Sequence, residues 1–184
     1  MDRGADSYRR YLDGDDTGMA ELIRDYRDGL LLYLNSYLND LPLAEDCVQD
    51  TFIRLAVRKP AFRGESSFKT WLYTVGRNLA VSARRKAARR GDTGLDACDA
   101  LRAEDDLERA YLKREQRITV HRAIRRLKPD YQHVLYLTYF EEFSNAEAAG
   151  IMHKTKKQVE NLLYHARKAL RSELEKEGFD YEEL

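Results

Sequence analysis

Residues 59–86 read KPAFRGESSFKTWLYTVGRNLAVSARRK (Lys59–Lys86) and divide into a loop and a helix. Pro60 and Gly64 disfavour helix in the first part. Ser66 or Ser67 then offers a hydroxyl to an unpaired first-turn N–H and so caps a helix. A 3.6-residue period follows. Phe68, Trp71, Leu72, Val75 and Leu79 recur on one apolar face. Lys69, Thr70, Tyr73, Thr74, Arg77 and Asn78 fall off that face, and the helix runs out into Arg84, Arg85, Lys86, Arg89 and Arg90. An apolar back, an exposed aromatic and hydrogen-bonding face and a cationic end suit a surface that stacks on unpaired bases while holding phosphates. The same residues also suit a plain core stripe with a solvated basic end, which the negative end of the helix dipole favours.

Upstream, Leu43–Val57 reads as a helix whose buried stripe is Cys47 or Val48, Phe52, Leu55 and Ala56. Asp46, Gln49, Asp50 and Ile53 form an adjoining stripe at i, i+3, i+4 and i+7, which suits either solvent or a basic partner helix. Asn39-Asp40-Leu41-Pro42 is a turn. Met19–Leu38 keeps helical spacing through Leu22, Ile23, Tyr26, Leu30, Tyr33, Leu34 and Tyr37, with Gly29 weakening it by about 1 kcal/mol without stopping it. Residues 1–18 are polar and rich in Asp and Gly, which predicts a ragged lead-in with one helical turn around Tyr8–Leu12.

Downstream, 91–107 is acidic, carries two glycines and has little periodicity, so it reads as a linker. Leu107–Leu127 restarts a helix with Leu112, Ile118, Val120, His121, Ile124 and Leu127 as candidate core. Lys128-Pro129 ends it. Asp130–Phe140 is a short apolar helix with Val134, Leu135, Leu137, Thr138 and Tyr139. Ser144 and Glu147 make an S-x-x-E capping box for a further short helix ending near Gly150. Thr155 caps a last helix reaching about Leu174, with Val159, Leu162, Leu163, Ala166 and Leu170 on its apolar side. A short helix, a tight turn and a longer basic helix make a helix-turn-helix. On the second helix Lys156, Lys157, Gln158, Glu160, Asn161, Tyr164, His165, Arg167 and Lys168 face away from the core, with Lys154 just ahead. Asn and Arg read base edges in the major groove, and lysines at the helix start suit phosphates.

The fold class is therefore all-α. Two small helical domains, 1–90 and 108–184, are joined by the acidic linker 91–107. Thirty-two basic and 32 acidic residues cancel over the 184-residue chain, but not locally. Residues 61–90 carry eight basic side chains against one acidic, and 154–171 carry six against one. Basic blocks separated by acidic ones suit a chain that meets a polyanion at more than one place, and overall neutrality argues against indiscriminate coating of DNA. The two cysteines, Cys47 and Cys98, form no C-x-x-C or Cys/His cluster, so no metal site, cofactor or redox function is expected. His121, His133 and His153 read as structural or exposed. No carboxylate cluster or Ser/His/Asp arrangement suggests a catalytic site, so the chain is not expected to be an enzyme. The N-terminus lacks an apolar leader, and no stretch is long enough to span a membrane, so a cytoplasmic protein with no membrane insertion is expected. The tail Glu173–Leu184 reads as a frayed, solubilising end.

F-R-G-E-S-S-F-K-T-W-L-Y-T-V-G-R-N resembles the promoter-melting, −10-binding segment of bacterial sigma factors, most closely the extracytoplasmic-function (group 4) class. A-E-D-C-V-Q-D-T-F-I-R-L-A is similar to that family's D-x-x-Q-x-x-F signature, with Asp46, Gln49 and Phe52 in register. The order of melting segment, acidic linker and helix-turn-helix is also that of a sigma factor, and the resemblance covers about residues 19–90 and 110–173. It implies that Phe62–Ser67 (Phe62, Arg63, Ser66 and Ser67 among them) capture a base flipped from the −10 element. It implies that Lys69, Tyr73, Thr74, Arg77 and Asn78, with Arg84 and Arg85, contact neighbouring DNA. Asp46, Gln49, Asp50 and Ile53 would dock on the β′ clamp helices of core RNA polymerase, with Phe52 facing the core. Residues 154–168, Thr155 included, would read the −35 element, with contacts to the β flap. A cognate anti-sigma factor is an implied partner. Where the family often has T-V-(K/R)-S-R-L, this chain has Gln158-Val159-Glu160-Asn161-Leu162-Leu163, so its −35 sequence is not that of better-known members. Glu160 could accept from a cytosine N4. The competing reading is a helix-turn-helix regulator of duplex DNA that never meets core polymerase, which leaves the Asp46/Gln49/Asp50 stripe and the F-R-G-E-S-S loop without a role.

Overall fold

The computed structural model describes residues 2–90 and 119–178. The linker 91–107, Cys98, Leu112, Ile118 and residues 179–184 lie outside them.

The chain enters through a full ten-residue helix, α1 (Arg3–Leu12), where a ragged lead-in was expected. The Asp2 side chain accepts from Ala5 N–H at 3.2 Å and also from Phe68 N–H at 2.6 Å, so one carboxylate caps α1 and ties it to a distant helix. Tyr8 is buried and donates to the Pro60 carbonyl at 2.8 Å. Helix α2 (Thr17–Leu38) crosses α1 with almost no gap: a Cβ on Gly18 would lie 2.2 Å from the Ser7 carbonyl oxygen. It buries Leu22, Leu30, Tyr33 and Leu34 and ends at Asn39 in the left-handed region.

Asp40 caps α3 (Leu41–Arg58) by accepting from Leu43 N–H at 3.0 Å. This helix starts two residues before Leu43, because Pro42 sits in the first turn where a missing N–H costs nothing. Cys47, Val48, Phe52 and Leu55 are buried as expected, while Ala56 is half-buried. Burial, then the nearby Asp50, Asp46 and Asp40 carboxylates, push the Cys47 thiol up to about 11, so it stays protonated and inert. Helix α4 (Phe68–Arg90) is capped by Ser67, whose Oγ accepts from Thr70 N–H at 3.2 Å. Phe68 and Leu72 are fully buried. Each such side chain contributes roughly 1.5–3 kcal/mol by leaving water.

The second half begins with helical residues 119–125 (α5), holding Ile124 in the core. Val120 and His121 are half-buried. Gln132 Nε2 donates to the carbonyls of Arg125 and Leu127, satisfying the chain where Pro129 ends α5. Helix α6 (Pro129–Leu135) continues into a π-helical turn, Tyr136–Phe140. Leu137 is buried, but Tyr139, one of the residues that made this stretch read as an apolar helix, is 54% exposed. Helices α7 (Asn145–Met152) and α8 (Lys156–Lys176) each open with a complete capping box, Ser144 with Glu147 and Thr155 with Gln158. Val159, Leu163 and Ala166 are buried, and Leu162 and Leu170 are half-buried against them. Glu173 and Glu177 are not part of a frayed end. Arg126 meets Glu177 at 2.5 Å, and Arg122 and Arg126 draw the end of α8 onto α5.

The two halves share one apolar core. Helix α4 packs against α7, and α2 packs against α6 and the π turn.

Candidate nucleic-acid interface

Three surfaces carry the residues singled out by the sequence. The first is an open groove of about 610 Å³ between α2 and α3, lined by Met19, Ile23, Leu31, Phe52 and Ile53 and edged by Arg27, Glu45, Asp46 and Gln49. Ile53 is 48% exposed, and Asp46, Gln49 and Asp50 are exposed beside it. Phe52 is buried at the groove floor. Apolar side chains open to solvent and rimmed by acids and an amide make a seat for an amphipathic basic helix.

The second surface is the helix-turn-helix. Met152 ends α7, His153 turns the chain at φ 54°, and Thr155 restarts it, so a turn of three residues sets α8 against α7. Lys156, Lys157, Gln158, Glu160, Asn161, Tyr164, His165, Arg167 and Lys168 are all exposed. Tyr164 is 66% exposed. Lys154 is half-buried and pairs with Asp130 at 3.1 Å. Arg167 lies over the exposed Tyr139 ring at 5.5 Å, which explains why an aromatic tolerates solvent there.

The third surface is the loop before α4 and the outer face of α4. Arg63 and Ser66 are exposed, and Gly64 takes φ 73°, a turn that a side chain would strain. Phe62 is half-buried, packed 5.5 Å from both Phe68 and Trp71. The face of α4 is not open as the spacing suggested: Thr70 and Tyr73 are buried. The covering atoms come from the other half of the chain. Glu141 accepts from the Tyr73 hydroxyl at 2.6 Å, and Lys69 Nζ lies 3.0 Å from the same carboxylate oxygen and donates to the Glu141 carbonyl at 2.9 Å. Phe143 meets the Tyr73 ring edge-on at 5.1 Å. Glu147 accepts from Thr70 Oγ1 at 3.2 Å and from Ser67 Oγ at 3.4 Å. Thr74 bonds back to the Thr70 carbonyl, and Asn78 Oδ1 meets His153 Nε2 at 3.0 Å. Arg77 is half-buried, Arg84 lies over the Tyr37 ring at 5.2 Å, and Arg85 is exposed.

Electrostatics follow from these contacts. Burial, then the adjacent Glu141 carboxylate, push the Tyr73 hydroxyl far up, so it remains a donor. Burial raises the Glu147 carboxyl, but hydrogen bonds from Ser144, Thr70 and Ser67 together hold it below the ordinary range. His133 is wedged between Tyr33 (6.1 Å) and Tyr37 (4.4 Å) of α2. Burial first, and the Arg77 charge next, lower it to about 3, so it is neutral. Glu141, Phe143 and His133 were not among the sequence candidates, because nothing local marks a residue that acts across two halves of a chain. Among the described residues no group of His, Cys, Asp and Glu could hold a metal ion, and no helix is long and apolar enough to cross a membrane.

The sequence matches the family model of sigma-70 region 2 over residues 22–90 and that of sigma-70 region 4 over residues 117–170. It is 31% identical over 160 residues to the RNA polymerase sigma factor YlaC of Bacillus subtilis (strain 168), covering 86% of this chain and 92% of that one. It is 29% identical over 170 residues to the ECF RNA polymerase sigma factor SigW of the same organism, covering 88% and 91%. The fold is similar to that of the sigma factor RpoE in a complex with the anti-sigma factor NepR from Bartonella quintana, with a TM-score of 0.68 at 24% identity over 87% of this chain and 98% of that one. It is also similar to CnrH in complex with the cytosolic domain of CnrY, with a TM-score of 0.64 at 22% identity over 95% and 97%. The matched ranges take in the α2–α4 unit and the helix-turn-helix, relatives are matched over nearly their whole length, and the chain belongs to the RNA polymerase sigma factors, in their extracytoplasmic-function class.

Proposed function

We propose that this chain directs core RNA polymerase to a specific set of promoters, with labour divided among the three surfaces. The α2–α3 groove seats the β′ clamp helices through Asp46, Gln49, Asp50 and Ile53. The exposed face of α8 reads the −35 element in the major groove, Asn161 and Arg167 at base edges and Lys156, Lys157 and Lys168 at phosphates, with the β flap beside it. The loop Phe62–Ser67 and the face Lys69–Asn78 hold the unpaired −10 strand, with Arg84 and Arg85 on its phosphates. Unstacking bases costs a few kcal/mol, offset by contacts in the receiving pocket. The chain supplies binding and makes or breaks no bond itself. A cognate anti-sigma factor is a fitting partner, since one solved neighbour above is a sigma factor in complex with an anti-sigma factor.

The observation that carries this reading is the coexistence, on a sigma-factor chain, of a fully exposed polar and basic α8 face with an exposed apolar groove between α2 and α3 that DNA binding does not need. Reconstituted transcription tests it. The chain, core RNA polymerase and a library of genomic promoter fragments should give specific starts that vanish without the chain, and the aligned upstream sequences should contain two elements. Duplex binding without any complex with core polymerase would favour an ordinary helix-turn-helix regulator instead.

A further inference from the structure

Helix α1 lies ahead of the residues matched by the two region models, and none of the three surfaces uses it. Its contacts nevertheless converge on one place. The two oxygens of the Asp2 carboxylate accept separately, one from Ala5 N–H at 3.2 Å and the other from Phe68 N–H at 2.6 Å. Phe68 is the first residue of α4, directly after the loop Phe62–Ser67. Further along α1, Tyr8 donates to the Pro60 carbonyl at 2.8 Å, just ahead of that loop. Burial, then the neighbouring Tyr11, push the Tyr8 hydroxyl up to about 12, so it stays a donor. Tyr11 donates to the Ala56 carbonyl at 3.2 Å, and the Lys59 ammonium lies over its ring at 5.0 Å. One helix thus grips the loop at both ends. The ring of Tyr8 also lies 5.4 Å from Phe68 and 5.7 Å from Trp71, the two rings on which Phe62 packs. A Cβ on Gly4 would come within 2.6 Å of Phe68 Cδ1, so α1 rests on the start of α4 without a gap.

We propose that α1 is a positioning element for base capture, in which Asp2 and Tyr8 fix the two ends of the Phe62–Ser67 loop and hold it in shape for an unstacked base. The proposal rests on the reading of that loop as the −10 capture site. Tyr8 is buried, and both Asp2 oxygens are taken by backbone N–H groups, so the two residues act through the loop and not on DNA themselves. The physical gain is preorganisation. A loop that must be ordered as the base arrives subtracts its ordering from the binding, and a loop pinned at both ends does not.

Tyr8→Phe keeps the ring cluster and removes the bond to Pro60. Asp2→Asn with Tyr8→Phe loosens both ends, since an amide has one acceptor oxygen for the two N–H groups. The test uses the full chain assembled with core RNA polymerase, on a promoter taken from the reconstituted transcription above. The probe is promoter duplex that ends in a fluorescein-labelled single-stranded −10 element, with each −10 base in turn replaced by an abasic residue. In the parent, removing the captured base should weaken binding about tenfold, the worth of one well-held base. In both variants that penalty should shrink to about threefold or less, while the penalties at the other positions and the affinity for core polymerase stay parental. A parental penalty at the captured position in both variants overturns the role of α1 and leaves the capture reading standing. Uniform weakening at all positions, or loss of core affinity or of helical circular dichroism, also overturns it and makes α1 a structural support only. If no position carries a penalty in the parent, the capture reading fails and the proposal goes with it.

Discussion

Gln49 and Asp50 are exposed on α3, beside a groove that already supplies apolar contact through Ile53 and Ile23. Their truncation leaves the core untouched, so Gln49→Ala with Asp50→Ala should preserve folding and weaken binding to core polymerase about tenfold, the effect of losing about 1.4 kcal/mol of polar contact. Surface-immobilised core polymerase with the chain in solution measures this, and unchanged affinity would remove the groove from the docking assignment. Tyr73 makes the opposite case, since its hydroxyl is buried and bonded to a carboxylate. Tyr73→Phe leaves Glu141 short of one donor and should lower stability by about 2 kcal/mol, the range for a hydrogen bond to a charged group. A urea midpoint unmoved by the substitution would show that Lys69 alone satisfies Glu141.

Helix α1 shows how close approach, more than propensity, can make an element. Residues 1–18 have the composition of a loop, yet Asp2 caps them, Tyr8 is buried, and the backbone of α1 lies directly on Gly18. A Cβ there would meet the Ser7 carbonyl oxygen at 2.2 Å and the Tyr11 nitrogen at 2.9 Å, and backbone cannot rotate out of the way as a side chain can. Gly18→Ala should therefore separate α1 from α2 and cost about 2 kcal/mol, in the range of an overpacked core. Thermal unfolding and protease cleavage within α1 would report it, and an unchanged melting temperature would mean that α1 contributes little. This helix also marks the limit of sequence reading. The Ser144–Glu147 capping box, the Thr155 cap, the Pro129 break and the apolar stripes of α3 and α8 were legible, because each is set by residues within a few positions of one another. The burial of Tyr73 was not, because its partner Glu141 is 68 residues away and off any shared helix. The groove residues were legible as a stripe on α3, but their apolar complement on α2 became visible only once the two helices were packed.

His133 lies in the seam that joins the halves, held by α6 against Tyr33 and Tyr37 of α2. Its Nε2 is buried with no hydrogen-bond partner among the described residues. Arg77, Arg84 and Lys154 all disfavour a second positive charge there, and Asp130 opposes them only in part. Its value of about 3 lies below the ordinary 6.5, so the unfolded or opened chain binds the proton more tightly. The stabilisation is complete above about pH 6.5 and is lost as pH falls toward 3. Between pH 7 and pH 5 the loss is about 2 kcal/mol, at a limiting slope of 1.36 kcal/mol per pH unit. Separating the halves is enough to hydrate the imidazole, and it disrupts far less structure than global unfolding, so opening should come first. The distance between spin labels placed on the exposed Arg54 and Lys168, in a Cys98→Ser background, should therefore lengthen at pH 5 while the helical circular dichroism holds. His133→Phe keeps a ring between the two tyrosines and removes the titration, so it should abolish that response. If the variant still opened on acidification, the carboxylates of the seam and not His133 would be the groups that titrate.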